Sequence, residues 1–264
     1  MKKNIRTLLV VILVILVLVF LYSTYRVTRT IHEYNESARY YDRTRKDAVV
    51  PVDQDPAGSA ETGDVSVPER QRMTSPIQVD FDTLLDGNAD IKGWLYSPDT
   101  KIDYPVVQAR DNSYYLYRFM DGSYNPSGTL FIDYRNMGDF TSKNTVIYGH
   151  HMGDGSMLAS IVDYEEQSYY DEHPVLYLNT PGGDYRLDVF AGFVTWYDSR
   201  VYLFDFGSRT EFEEWVNLMR SYSDFSSDVE VGLDDRIVTL STCTYEYDNA
   251  RYVLMCKLVP LEDN

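Results

Sequence analysis

Hydrophobic and polar positions divide the chain into three regimes. The first is a run of fifteen apolar residues, 8–22, preceded by Lys2, Lys3 and Arg6 and extended to eighteen by Ser23, Thr24 and Tyr25. Eighteen helical residues cover roughly 27 Å, enough for the hydrocarbon core of a bilayer. A cleaved signal peptide shares the basic start and apolar centre, but Tyr22, Tyr25 and Arg26 stand where a small-x-small cleavage site belongs, which favours an uncleaved signal anchor over 8–25. The position of the run places residues 1–7 in the cytoplasm and the remainder outside, although Arg26 and Arg29 on the far flank blunt the positive-inside signal.

The second regime is helical and then structureless. Val27, Ile31, Tyr34, Ala38 and Tyr41 recur with spacings of four and three, predicting a membrane-proximal helix over 26–50. Two heptads are too few to require a dimerising coiled coil. Residues 51–76 lack aromatic residues and hold little apolar content, which predicts a flexible linker.

From residue 77 the pattern changes to short apolar runs separated by turn residues. A short helix is predicted over 81–89, with Phe81, Leu84 and Leu85 on one side. Eight runs follow, at 93–98, 104–108, 128–134, 144–149, 174–179, 185–194, 236–243 and 251–259, rich in Val, Ile, Tyr and Phe. Such runs at close spacing predict an all-β sandwich or barrel for 77–264. Helical spacing interrupts them at 156–164 and at 210–222, where Phe212, Trp215, Val216 and Met219 share a face.

Charge sharpens this division. The chain carries 41 acidic and 24 basic side chains, a net charge of -17. Residues 1–50 hold nine basic and four acidic groups, so they contribute +5 and the rest of the chain -22. An acidic exported part repels phosphate backbones, so no nucleic-acid partner is expected. Two cysteines exclude a disulfide framework, and four scattered histidines offer no clear metal set, so neither metal nor cofactor is expected.

Chemistry concentrates at the end of the seventh run. Cys243 closes an apolar strand and precedes a turn-rich stretch; if residues 243–251 form a hairpin centred on Tyr247, Arg251 stands opposite Cys243. A fixed positive charge there favours negative charge on the sulfur and stabilises an oxyanion on a bound carbonyl. A lone cysteine is more commonly a small core residue. In the same register, however, Cys256 falls opposite Val238, roughly 17 Å along the ladder from Cys243. That separation forbids a disulfide and leaves Cys256 in the core and Cys243 a free thiol. His150 and His151, at the end of another strand, are the candidate proton partners. His32 and His173 read as solvated bystanders.

The segment Thr239-Leu240-Ser241-Thr242-Cys243, with Arg251 eight residues later and Tyr148-Gly149-His150-His151-Met152 upstream, resembles the sortases, specifically class B. Further landmarks in order are Val79-Asp80-Phe81, Gly93-Trp94, residues 100–108, 111–116 and 131–136, and 144–149, so the likeness spans 77–259. The resemblance implies an eight-stranded sortase-type β-barrel with short helices, behind an N-terminal transmembrane helix. It implies a cysteine transpeptidase that cleaves a C-terminal sorting signal at a Thr-Gly bond through a thioacyl intermediate and transfers the protein to an amine of the cell wall. By motif position Cys243 is the nucleophile, His150 the acid/base and Arg251 the residue for oxyanion and substrate orientation; His151 is expected to be a surface neighbour. Ser241, Asn112 and Leu116 match substrate-binding positions. The implied partners are surface proteins bearing a sorting signal, a peptidoglycan precursor or pilin amine acceptor, and the membrane. Alternatives are a pilin-polymerising sortase, a Cys-His hydrolase that uses water, and a non-enzymatic surface-ligand binder.

Overall fold

The structure, a computed structural model, describes residues 2–52, 74–197, 199–244 and 246–262, with side chains from residue 7 onward. It forms two compact units, residues 1–42 and 43–264. Helix α1 (Lys2–Ala48) carries the apolar run, whose side chains from Leu8 to Tyr22 are all exposed, and by length and composition it can cross a membrane. The helix ends two residues before the predicted boundary. Val49 and Val50 open strand β1 (Val49–Pro51), which pairs antiparallel with β2 (Ile77–Val79). Residues 53–73 of the expected linker lie outside the described residues.

Helix α2 (Phe81–Gly87) starts where the Asp80 carboxylate accepts the Thr83 N–H at 3.0 Å, satisfying a donor that the first turn leaves unpaired. Eight strands follow: β3 (Ile91–Tyr96), β4 (Asp103–Val107), β5 (Leu130–Ile132), β6 (Asn144–Tyr148), β7 (Val175–Thr180), β8 (Gly183–Trp196), β9 (Ile237–Cys243) and β10 (Ala250–Pro260). Each arises from one predicted apolar run. They close into a barrel in the order β10-β8-β7-β3-β4-β5-β6-β9, which leaves no unpaired edge.

Two adjacencies in that order position the site. Strands β6 and β9 are parallel, with Tyr148 opposite Ser241, so both run out at the same end of the barrel and deliver residues 149–151 and 243 side by side. Strand β10 returns from that end, antiparallel to β9, with Arg251 opposite Cys243 and Cys256 opposite Val238. The predicted hairpin register is therefore the observed one, and Cys256 is fully buried.

The predicted helix at 156–164 starts later than its spacing suggests. Met157 has φ 60, a left-handed conformation incompatible with helix, so the turn forms as a 3-10 segment at Ala159–Glu165, followed by helix α3 (Gln167–Glu172). Helix α4 (Arg209–Ser221), capped by Ser208, buries Phe212, Trp215, Val216 and Met219 against Phe190, Phe193, Val253 and Met255 of β8 and β10. Its Trp215 indole donates to the Arg200 carbonyl at 2.8 Å, while buried Asn144 donates to the carbonyls of Val201 and Leu203. Residues 200–203 are thereby fastened to the base of β6.

Candidate active site

A cavity of about 590 Å³ opens at the end where β6 and β9 terminate. Cys243, His150 and Arg251 all line it, together with Ser241, Asn112 and Leu116, so the six residues singled out in the sequence converge on one site. Cys243 is half-buried at the last position of β9 and has a free thiol. Arg251 faces it across the hairpin, and its guanidinium bonds to the Ala250 carbonyl at 2.9 Å. Among the described residues no carboxylate bonds this guanidinium, so its charge remains available to a developing oxyanion.

His150 is oriented by a neighbouring carbonyl. Its Nε2 lies 2.7 Å from the Leu116 oxygen, in the 3-10 turn Tyr115–Tyr117, and its ring packs on Tyr117 with centroids 5.4 Å apart. A carbonyl accepts, so Nε2 carries the hydrogen and Nδ1 is the nitrogen left to exchange a proton. The turn is itself held close. Gly128 has φ 58, and a Cβ there would stand 2.5 Å from the Leu116 and Tyr115 carbonyl oxygens, a contact no other residue tolerates.

Burial pushes the His150 pKa below its ordinary value, and the Leu116 hydrogen bond offsets this in part. The neutral ring is therefore the form the fold prefers. Because the folded value lies below the unfolded 6.5, the stabilisation is present above that pH and is lost as pH falls. Urea unfolding at pH 7 and pH 5 should show wild type losing more stability on acidification than His150→Asn.

The substrate-binding candidates have partners of their own. Ser241 Oγ lies 3.0 Å from the Tyr202 hydroxyl, and Tyr202 stacks on Tyr148 with centroids 6.1 Å apart. Asn112 donates to Asp133 at 2.9 Å and accepts the Tyr134 N–H at 3.0 Å. Its amide is thus already fixed by the wall it belongs to. Asp133, fully buried, also accepts from Arg135 Nε and Nη2 at 2.9 and 2.8 Å and from the Tyr148 hydroxyl at 3.0 Å. Tyr148, Tyr202 and Arg135 also line the cavity; none of them had a role at the site from sequence alone. A charged pair directly after an apolar strand was the available signal for Asp133 and Arg135; nothing local marked Tyr202.

The Sortase domain family matches residues 95–259, well over half of the chain. The chain belongs to the sortase family. Sortase B of Staphylococcus aureus is 32% identical over 185 residues, 69% of this chain and 76% of that protein. Sortase B of Listeria monocytogenes is 39% identical over 174 residues, 65% and 71% of the respective lengths. Among solved structures, sortase B from Bacillus anthracis in complex with AAEK1 superposes with a TM-score of 0.70 at 31% identity, covering 87% of this chain and 99% of that one. A Staphylococcus aureus sortase B-substrate complex gives 0.66 at 33% identity, covering 69% and 85%. The barrel and the class B resemblance agree with these relatives, and the activity is that of a sortase, a cysteine transpeptidase.

Two thiols in such different settings should be separable in the folded sortase. Cys243 should be modified by iodoacetamide in buffer, whereas Cys256, fully buried and with its pKa pushed up by burial, should react only after unfolding. Mass spectrometry should count one adduct before denaturation and two after.

Proposed function

We propose that this sortase is held in the membrane by residues 8–25, with 1–7 cytoplasmic and 26–50 and 51–76 carrying the catalytic region 77–264 on the outer side. There it joins surface proteins bearing a C-terminal sorting signal to an amine of the cell wall. Cys243 Sγ attacks the Thr carbonyl of a Thr-Gly bond as the thiol proton passes to His150 Nδ1; His150 then gives that proton to the departing amine as the C–N bond breaks, leaving a thioester. The acceptor amine then attacks, His150 takes its proton, and it passes that proton to Cys243 Sγ as the C–S bond breaks. Arg251 neutralises the oxyanion of both tetrahedral intermediates. Ser241, Asn112 and Leu116 contact the sorting signal.

The observation that carries this reading is the convergence of Cys243, His150 and Arg251 on one cavity, with nucleophile and cation paired across strands. The Staphylococcus aureus sortase B-substrate complex, a relative of the same fold, supports a substrate site in this barrel. The full chain in detergent micelles should be incubated with sorting-signal peptides, with and without triglycine or another amine. Amine-dependent ligation and a thioester adduct on Cys243 are expected. Cleavage at one rate, with no ligated product at any amine concentration, would instead make the protein a hydrolase.

A further inference from the structure

Among the described residues, the ladders to the two neighbouring strands leave the backbone carbonyl of Cys243 to a side chain. Cys243 and Arg251 face each other across β9 and β10, and the next pair toward the turn is bonded, Thr244 N–H to Ala250 C=O at 3.2 Å. Antiparallel pairs alternate between bonded and non-bonded, so Cys243 C=O turns away from β10 toward the β6 side. There the parallel ladder reaches as far as Gly149 N–H to Ser241 C=O at 3.1 Å. Continued by two residues, it would bring the His151 N–H to Cys243 C=O. The chain turns instead, and His151 forms a backbone bridge with Met157.

The His151 ring reaches back into the vacated place, with Nδ1 3.0 Å from the Cys243 oxygen. Facing a carbonyl, Nδ1 carries the hydrogen. Thr242 Oγ1 adds a bond to Gly149 C=O at 2.9 Å. The loop that bears His150 and the strand end that bears Cys243 are therefore joined at three successive points, and the outermost of them is on the nucleophile itself. His151, expected to be a surface neighbour, is half-buried in this role.

We propose that His151 is a positioning residue whose Nδ1–H, bonded to the Cys243 carbonyl, holds the nucleophile in register with His150 through both acyl-transfer steps. This rests on reading Cys243 as nucleophile and His150 as its proton partner. Small displacements between such groups are costly, because the rate depends on near-attack geometry.

The test uses the full chain in detergent micelles and iodoacetamide as the probe, so no sorting motif need be known. Three variants differ in where they place an N–H: His151→Asn puts it near the Nδ1 position, His151→Gln near Nε2, and His151→Leu nowhere. Alkylation of Cys243 near neutral pH should slow about tenfold in the Leu and Gln variants and return to within about threefold of wild type in Asn. Equal rates in all four proteins, or equal losses in Asn and Gln, overturn the proposal. If the Leu variant does not fold, the Asn and Gln pair decides. His150→Ala separates the two ideas: a wild-type alkylation rate there removes His150 as the proton partner, whereas the His151 assignment fails on its own comparison.

Discussion

Cys243→Ala is expected to lower kcat/KM for transpeptidation by at least about four orders of magnitude, some 5.5 kcal/mol of transition-state stabilisation, while leaving the unfolding midpoint nearly unchanged. The large loss follows from the proposed route. Without sulfur no thioester forms, and neither Arg251 nor His150 can substitute as a nucleophile in that cavity. The small structural effect follows from position. Cys243 is half-buried at the end of β9, and its carbonyl bond to His151 and its pairing with Arg251 involve backbone atoms that alanine keeps. The variant should still bind a sorting-signal peptide, so it separates affinity from turnover. Turnover within tenfold of wild type, measured beside a thermal melt, would remove Cys243 from the mechanism.

The pairing of Cys243 with Arg251 was readable in the sequence because a hairpin is a local device. A six-residue connection between β9 and β10 fixes the register, so Arg251 opposite Cys243 and Val238 opposite Cys256 both follow from counting along two apolar runs. The same locality explains why eight runs became eight strands and why α4 lies near its predicted place. What sequence does not carry is adjacency between distant runs. The parallel pairing of β6 with β9 joins residues some ninety positions apart, and it is this pairing that brings His150 to Cys243. The β1–β2 pair, three residues on each side, has too little alternation to announce itself. The bond that His151 makes was not legible for a related reason: two adjacent histidines look alike in sequence, and only the turn after Gly149 sends one ring to Leu116 and the other to the Cys243 carbonyl.

Asp133 is the clearest case of a residue whose weight comes from convergence, and its removal should have the second largest effect. Four side-chain or backbone donors meet its buried carboxylate: the Arg135 guanidinium and N–H, the Asn112 amide and the Tyr148 hydroxyl. Burial pushes the carboxyl pKa up, but these donors outweigh burial and hold it below its usual value. Asp133→Ala leaves the Tyr148 hydroxyl and the Asn112 amide each short of a partner and frees a half-exposed Arg135. A loss of about 3 kcal/mol in unfolding free energy is expected, at the lower end for a broken buried pair because Arg135 can turn to water. Since Asn112, Arg135 and Tyr148 all line the cavity, kcat/KM should fall as well, with Cys243 alkylation largely preserved. The pH dependence has a definite sign. The folded value lies below the unfolded one, so the carboxylate's contribution is complete above about pH 4 and fades as pH drops through the folded value. Urea unfolding of wild type and Asp133→Ala should therefore differ by a constant amount from pH 5 to pH 8 and converge in stronger acid. A difference that instead grows on acidification would mean that the carboxyl is protonated in the folded protein and that Arg135 is held by something else.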